Sequence, residues 1–292
     1  MRVLVTGWPS FLHGEATAGD VLSMRRVRDA LDAIGIACDT VWSHGFLPGA
    51  AGLDDVDPSS YSHLVFACGP VTGSQVAELH ERFPCCYRIA VGVSVIDPAC
   101  PAASGFHRIL PRDGGAACAP DLADPTTARP VPVAGVVLAP GQREYGSHGR
   151  HEDVHRVLGD WLGTLDCALL ELDSRLDTTD WRHCSTPDQF AAVLSRLDVV
   201  ITTRLHGLVL AVRSGVPAIA VDPIDGGGKV TAQARALSWP AILAADEVCP
   251  ERLDAWFRWC RSDQAAAKLR VPECEPELID GLVGALRLER AA

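Results

Sequence analysis

Short runs of consecutive apolar residues alternate along the chain with stretches in which apolar residues recur every three to four positions. The runs read as buried strands and the periodic stretches as amphipathic helices, so their alternation predicts βαβ units and mostly parallel sheets. In the first part, strands are predicted over residues 3–7, 38–42, 64–68, 89–95 and 108–110, with helices over 21–35 and 75–83. Asp20, immediately before the first helix, is placed as its N-cap. A second series follows, with strands over 133–139 and 168–172 and helices over 153–164 and 187–196. Thr186 caps the last of these helices and Pro187 takes its first position. Between the two series, Gly114, Gly115, Pro120, Pro125, Pro130 and Pro132 interrupt a stretch without periodic apolar residues, which marks a crossing between domains. The expected α/β fold is two Rossmann-like parallel-sheet halves facing a cleft. They span residues 1–130 and 133–270, and a C-terminal helical segment, 271–292, carries the amphipathic stretch 277–289.

The most informative pattern runs from Asp198 to Asp222. A buried strand over 199–202 leads into a junction carrying Arg204 and His206, then an apolar helix, a stop at Gly215, Val216 and Pro217, and a second buried strand. Ligands of open α/β sheets bind at the carboxyl ends of the strands. Inside a regular helix Arg204 and His206 would lie about 200° apart. At a strand-to-helix junction both can face a ligand, and the unpaired amides of the first turn add an anion-binding cup.

Composition narrows the function classes. The 292 residues are 48% apolar and 22% charged, as in an ordinary soluble protein with room for two domains. A net charge of −11 argues against nucleic acid as a partner, because no basic stripe is available to neutralise phosphates. No apolar run approaches the length of a membrane span, so an integral membrane protein is not expected, and the first residues do not read as an export signal. The 11 cysteines include no C-x-x-C pair, so reduced thiols, a cytoplasmic location and no metal site are expected.

Further candidates cluster at other strand ends. Gly226, Gly227 and Gly228 let the backbone approach a ligand, and Lys229 opens the next helix as a point charge for phosphate. Asp20 lies after the first strand and is open to two roles, helix cap or acceptor of a hydroxyl proton. Arg143 occupies the corresponding place after the first strand of the second half. His151 and His155 share a helical face but lack the spacing of a known metal motif.

Thr203-Arg204-Leu205-His206-Gly207, then Gly215-Val216-Pro217, Asp222, Lys229-Val230 and Ala234, resemble the polysaccharide pyruvyl transferase family. Gly19-Asp20, Arg112-Asp113 and Pro120-Asp121-Leu122 are weaker matches, and Thr17-Ala18-Gly19-Asp20 departs from the family's Asn-x-Gly-Asp form. The resemblance implies the two-domain arrangement of GT-B glycosyltransferases, phosphoenolpyruvate as donor substrate with no separate cofactor, and the hydroxyl pair of a sugar or glycan as acceptor. On that basis His206 is the expected acid and Asp20 the expected base. Arg204, Lys229, Arg143, Gly207 and Gly228 would bind substrate, with Arg204 clamping the donor's carboxylate or phosphate and Lys229 adding charge. The alternatives are a GT-B-like glycosyltransferase using a nucleotide sugar and a non-catalytic ligand-binding relative.

Overall fold

A computed structural model of the chain describes residues 1–12, 14–115, 118–127, 129–141, 143–269 and 277–289. It has the α/β class expected from the sequence, with two five-stranded sheets and helices between the strands. All strand pairs within both sheets are parallel. The chain divides into two compact units, Met1–Arg129 and Pro130–Ala292.

Unit 1 runs β1 (Arg2–Thr6), α1 (Ala18–Ala33), β2 (Ala37–Thr40), β3 (His63–Ala67), α2 (Ser74–Arg82), β4 (Tyr87–Ser94), the one-turn α3 (Pro101–Ser104) and β5 (Arg108–Asp113). The sheet order is β2-β1-β3-β4-β5. Successive side chains of a strand point to opposite faces, and here both faces are covered. Leu4 joins Phe66, Val76 and Leu79 on one side, while Val3 and Val5 join Met24 and Val65 on the other. This two-sided burial is why β1 reads as a continuous apolar run rather than an alternating one.

One local expectation is corrected. Helix α1 starts at Ala18, not after Asp20, and Thr17 is its N-cap. The Thr17 hydroxyl accepts the Asp20 amide at 3.2 Å, and the Asp20 carboxylate accepts the Thr17 amide and hydroxyl at 3.3 and 2.7 Å. A threonine followed three positions later by an acid satisfies two orphan donors reciprocally, which a lone Asp20 cap would not.

Unit 2 continues with β6 (Val133–Val137), α4 (His151–Leu162), β7 (Ala168–Glu171), α5 (Pro187–Leu194), β8 (Val199–Thr202), α6 (Leu205–Arg213), β9 (Ala218–Asp222), α7 (Lys229–Ala236), β10 (Ile242–Ala244), α8 (Pro250–Cys260), α9 (Asp263–Lys268) and α10 (Glu277–Glu289). Thr186 caps α5 as expected, accepting the Gln189 amide. The order β10-β9-β8-β6-β7 repeats that of unit 1 when strands are counted within each unit. Strands β8 and β9 are buried throughout, in a core that includes Trp161, Ile201, Leu208, Ile219 and Leu243.

In each sheet the direction of winding reverses once, between β1 and β3 in unit 1 and between β6 and β8 in unit 2. Such a switch point leaves a crevice outside the carboxyl ends of the strands, where ligands of doubly wound sheets bind. No helix among the described residues is long and apolar enough to cross a membrane.

Candidate functional site

At the switch point of unit 2, β8 ends in two buried threonines. The Thr202 hydroxyl donates to the Val137 carbonyl at 2.8 Å and accepts the Arg204 amide at 2.9 Å. The Thr203 hydroxyl accepts the Ala139 amide at 2.8 Å and lies 3.3 Å from Nε2 of His155. Together they tie β8 to β6 and to α4. Arg204 is therefore held in an extended conformation as the N-cap of α6, and it supplies no side-chain cap. The amides of Leu205, His206 and Gly207 take no protein acceptor among the described residues.

The Arg204 side chain is 19% exposed and reaches the end of β7, where Nη1 lies 3.2 Å from the Asp173 carboxylate and donates to the Ser174 hydroxyl at 3.0 Å. Its Nε is buried with no partner among the described residues. The guanidinium is thus positioned and partly neutralised before any ligand arrives. His206 is exposed and forms no hydrogen bond or ion pair among the described residues. Gly207 is buried against the sheet, and a Cβ there would come within 2.2 Å of Thr202 Oγ1, so only glycine lets α6 start this close to β8.

The neighbouring junction, β9 to α7, is built differently. Asp222 is fully buried. Its carboxylate accepts the amides of Gly228 at 2.6 Å, Thr231 at 2.8 Å and Ile224 at 3.3 Å. The glycine loop and the start of α7 are therefore capped from within, and Gly228 has already given its amide to Asp222. Lys229 follows as the first residue of α7, with Nζ 5.9 Å from the centroid of the Tyr145 ring. Tyr145 belongs to the 3₁₀ segment Arg143–His148. The Arg143 side chain lies outside what the structure describes.

Four of the residues read from the sequence thus stand at the carboxyl edge of unit 2 in two adjacent groups, Arg204 with His206 and Gly228 with Lys229, and Gly207 supports the first group from beneath. Asp20 stands at the carboxyl edge of unit 1, in its capping box. Sequence reasoning passed over Asp173 and Ser174, although they directly follow a predicted strand and so lie on the ligand-binding edge. It also treated His151 and His155 only as metal candidates. Among the described residues no group of side chains is arranged to hold a metal ion. The two imidazoles are instead an edge-on pair, 6.1 Å between centroids, packed beside β8. Burial is the main cause that holds both below the ordinary histidine pKa.

Unit 1 has its own carboxyl-edge cluster. Arg112 bonds to Asp113 at 3.0 Å, to the Ser94 hydroxyl at 2.7 Å and to Asp121. A concavity of about 230 Å3 elsewhere in the unit is lined by Trp42, His44, Gln75, Glu78 and Arg82, among others.

No curated protein sequence matches the chain significantly. Among solved structures, it is similar to the glycotransferase of kitacinnamycin, at 17% identity and a TM-score of 0.33 over 92% of each chain. It is also similar to the spinosyn rhamnosyltransferase SpnG complexed with thymidine diphosphate, at 13% identity and 0.31 over 92% of this chain and 94% of the other. A third is the E. coli heptosyltransferase WaaC with ADP, at 15% identity and 0.29 over 91% of this chain and all of the other. Residues 95–225, which include the junction carrying Arg204 and His206, match the family model of the polysaccharide pyruvyl transferases.

Proposed function

We propose that this chain transfers a pyruvyl group from phosphoenolpyruvate to two hydroxyls of a sugar or glycan, forming a cyclic ketal. The observation that carries this is the uncapped start of α6 at the switch point of unit 2. There a segment matching a pyruvyl transferase family presents a fixed guanidinium together with three amides and an imidazole that have no partner among the described residues.

The reaction adds a proton to the methylene carbon of the donor, which makes the adjacent carbon electrophilic. One acceptor hydroxyl adds there and loses its proton, and phosphate then leaves with the bonding electrons. The second hydroxyl adds to the same carbon, loses its proton and closes the ketal. In this scheme His206 delivers the first proton and the α6 amides hold donor oxygens. Arg204 binds the carboxylate with the donors that Asp173 and Ser174 leave free, and Lys229 adds charge. Asp20 is assigned as the base that accepts hydroxyl protons. The acceptor is assigned to unit 1, where the concavity beside Trp42 combines an aromatic face with polar groups. The ten free cysteines among the described residues favour a reducing compartment, and we place the protein in the cytoplasm.

Incubation with phosphoenolpyruvate and a panel of glycosides, read as phosphate release, tests the assignment. Release that depends on a glycoside is the expected result. If no glycoside supports release, while a nucleotide sugar is turned over, the protein is a glycosyltransferase.

A further inference from the structure

A second uncapped helix start lies on the other side of the same switch point. Helix α4 is 12 residues long, its N-cap Arg150 offers no side-chain acceptor to the first amides, and the amides of His151, Glu152 and Asp153 take no protein acceptor among the described residues. The loop before it is fixed: Gly149 bridges to Ile224, the Arg150 amide donates to the Pro223 carbonyl at 2.7 Å, and the Asp225 amide donates to the His148 carbonyl at 2.9 Å. Above these amides opens a concavity of about 380 Å3, lined by Gly141, Gly146, Gly149 and the first residues of α4.

His151 lines that concavity and is 5% exposed, yet its ring forms no hydrogen bond among the described residues. A ring without a protein partner keeps its nitrogens available to a ligand or to water. A side chain at Gly149 would sit 3.4 Å from Nδ1, so the glycine leaves that nitrogen uncovered on the cavity side. The charged and titratable groups around the ring are Asp222 and Lys229 from the β9–α7 junction, Glu144 from the 3₁₀ segment and His155 from the next turn of α4. Two acids in the first turn of α4 oppose an anion. Asp153 is engaged by Arg150 at 2.9 Å and Arg156 at 3.7 Å, whereas Glu152 has no such partner among the described residues.

We propose that this concavity is a phosphate subsite, in which the free amides at the start of α4 and the His151 ring take the phosphate group of a phosphorylated small molecule, with Lys229 as a nearby positive charge. A helix start offers aimed N–H groups and the positive end of the dipole, and a protonated imidazole adds a charge-assisted bond. On the reading given above, that group is the phosphate of the donor; the subsite itself does not depend on it.

The test uses the full chain, inorganic phosphate as the probe and no acceptor, with histidine-ring NMR and calorimetry. Phosphate is expected to shift the His151 resonances and to raise the ring's titration midpoint, because the bound anion favours the charged form. His151→Gln should weaken phosphate affinity about tenfold, the worth of one charge-assisted bond. Glu152→Gln, at an exposed position, should tighten it a few-fold. An unmoved His151 signal, or unchanged affinity in both variants, overturns the subsite. Phosphoenolpyruvate and a nucleoside diphosphate are then compared as competitors. Displacement of phosphate by either supports the subsite, and displacement by the diphosphate alone counts against the pyruvyl donor only.

Discussion

The two units share one strand order and differ at their switch points. In unit 1 the crevice between β1 and β3 is filled. Trp8 donates from its indole to the Pro70 carbonyl at 3.2 Å and lies so close to Gly69 that a Cβ there would approach it to 2.2 Å. The helix that starts beside it, α1, is capped by Thr17 and Asp20. The nearby charges are paired among themselves, Arg112 with Asp113 and Asp121. In unit 2 the crevice between β6 and β8 is flanked by two helix starts without side-chain caps. His151 and His206 there have no hydrogen-bond partners among the described residues. The same topology thus yields one edge whose helix start and charges are paired within the protein, with the Thr6, Ser23 and Thr40 hydroxyls buried and unpartnered among the described residues, and one with two helix starts that no side chain caps. Helix starts normally find partners for their first amides, so the contrast supports placing the proposed donor against unit 2.

The strongest way to break the contrast is to open a closed junction. Asp222→Ala would orphan three amide donors around a fully buried position. A loss of about 2–4 kcal/mol in stability is expected from the unpaired groups, measured as a lower urea midpoint. Arg204→Lys tests the open edge. A point charge cannot keep the bonds to Asp173 and Ser174 while presenting a planar fork, so donor affinity should fall about tenfold with little loss of stability, read by calorimetry with phosphoenolpyruvate.

Asp20 sharpens the comparison because it has two assignments. Asp20→Asn keeps an acceptor for the Thr17 amide and should cost under about 1 kcal/mol. If it is also the base, phosphate release falls by far more than that loss of stability explains. Release that stays at the wild-type rate leaves Asp20 as a cap alone.

The smallest expected effect is in acid. Burial is the main cause that holds His151 and His155 below the ordinary histidine pKa of about 6.5 in the folded protein. The unfolded chain therefore binds protons that the folded one refuses, and stability present above about pH 6.5 is lost as pH falls from there toward the lowered values. In unit 1, Asp113 is lowered chiefly by its bond from Arg112 and Asp121 chiefly by the Ala123 amide, both from 3.8. Their contribution is present above that value and lost only as pH falls below it. Fluorine-labelled Trp8 and Trp161 should report both units weakening as pH falls below about 6.5, because burial also lowers His80 in unit 1, with the unit 1 carboxylates adding a further loss only below about pH 4.

Much of this was legible in the residues. Continuous apolar runs such as 199–202 and 218–221 marked doubly covered strands, and the glycine and proline after α6 marked its end. The Arg204–His206 junction was legible because a strand-ending run abuts a helix with a cation at the boundary. What stayed hidden depends on pairing across the sheet. Nothing local shows that Asp173 would meet Arg204, or that Asp222 would consume the amides of the glycine loop. The histidines at 151 and 155 were visible as one helical face, but only the position of α4 beside β8 turns that face toward Thr203. Between Trp239 and the amphipathic stretch 277–289 no elements were read, because β10 is three residues long and α8 carries tryptophans on more than its buried face.

In the proposed reaction the open edge of unit 2 holds an enolpyruvyl donor and His206 delivers the proton to its methylene carbon. The most direct measurement of that step is hydrogen exchange from deuterated buffer into the methylene group of recovered phosphoenolpyruvate, compared between wild type and His206→Gln at equal donor occupancy. Exchange by the wild type that falls about 10²–10⁴-fold in the variant is the predicted result, the usual worth of a positioned general acid. Exchange by His206→Gln at the wild-type rate would contradict it.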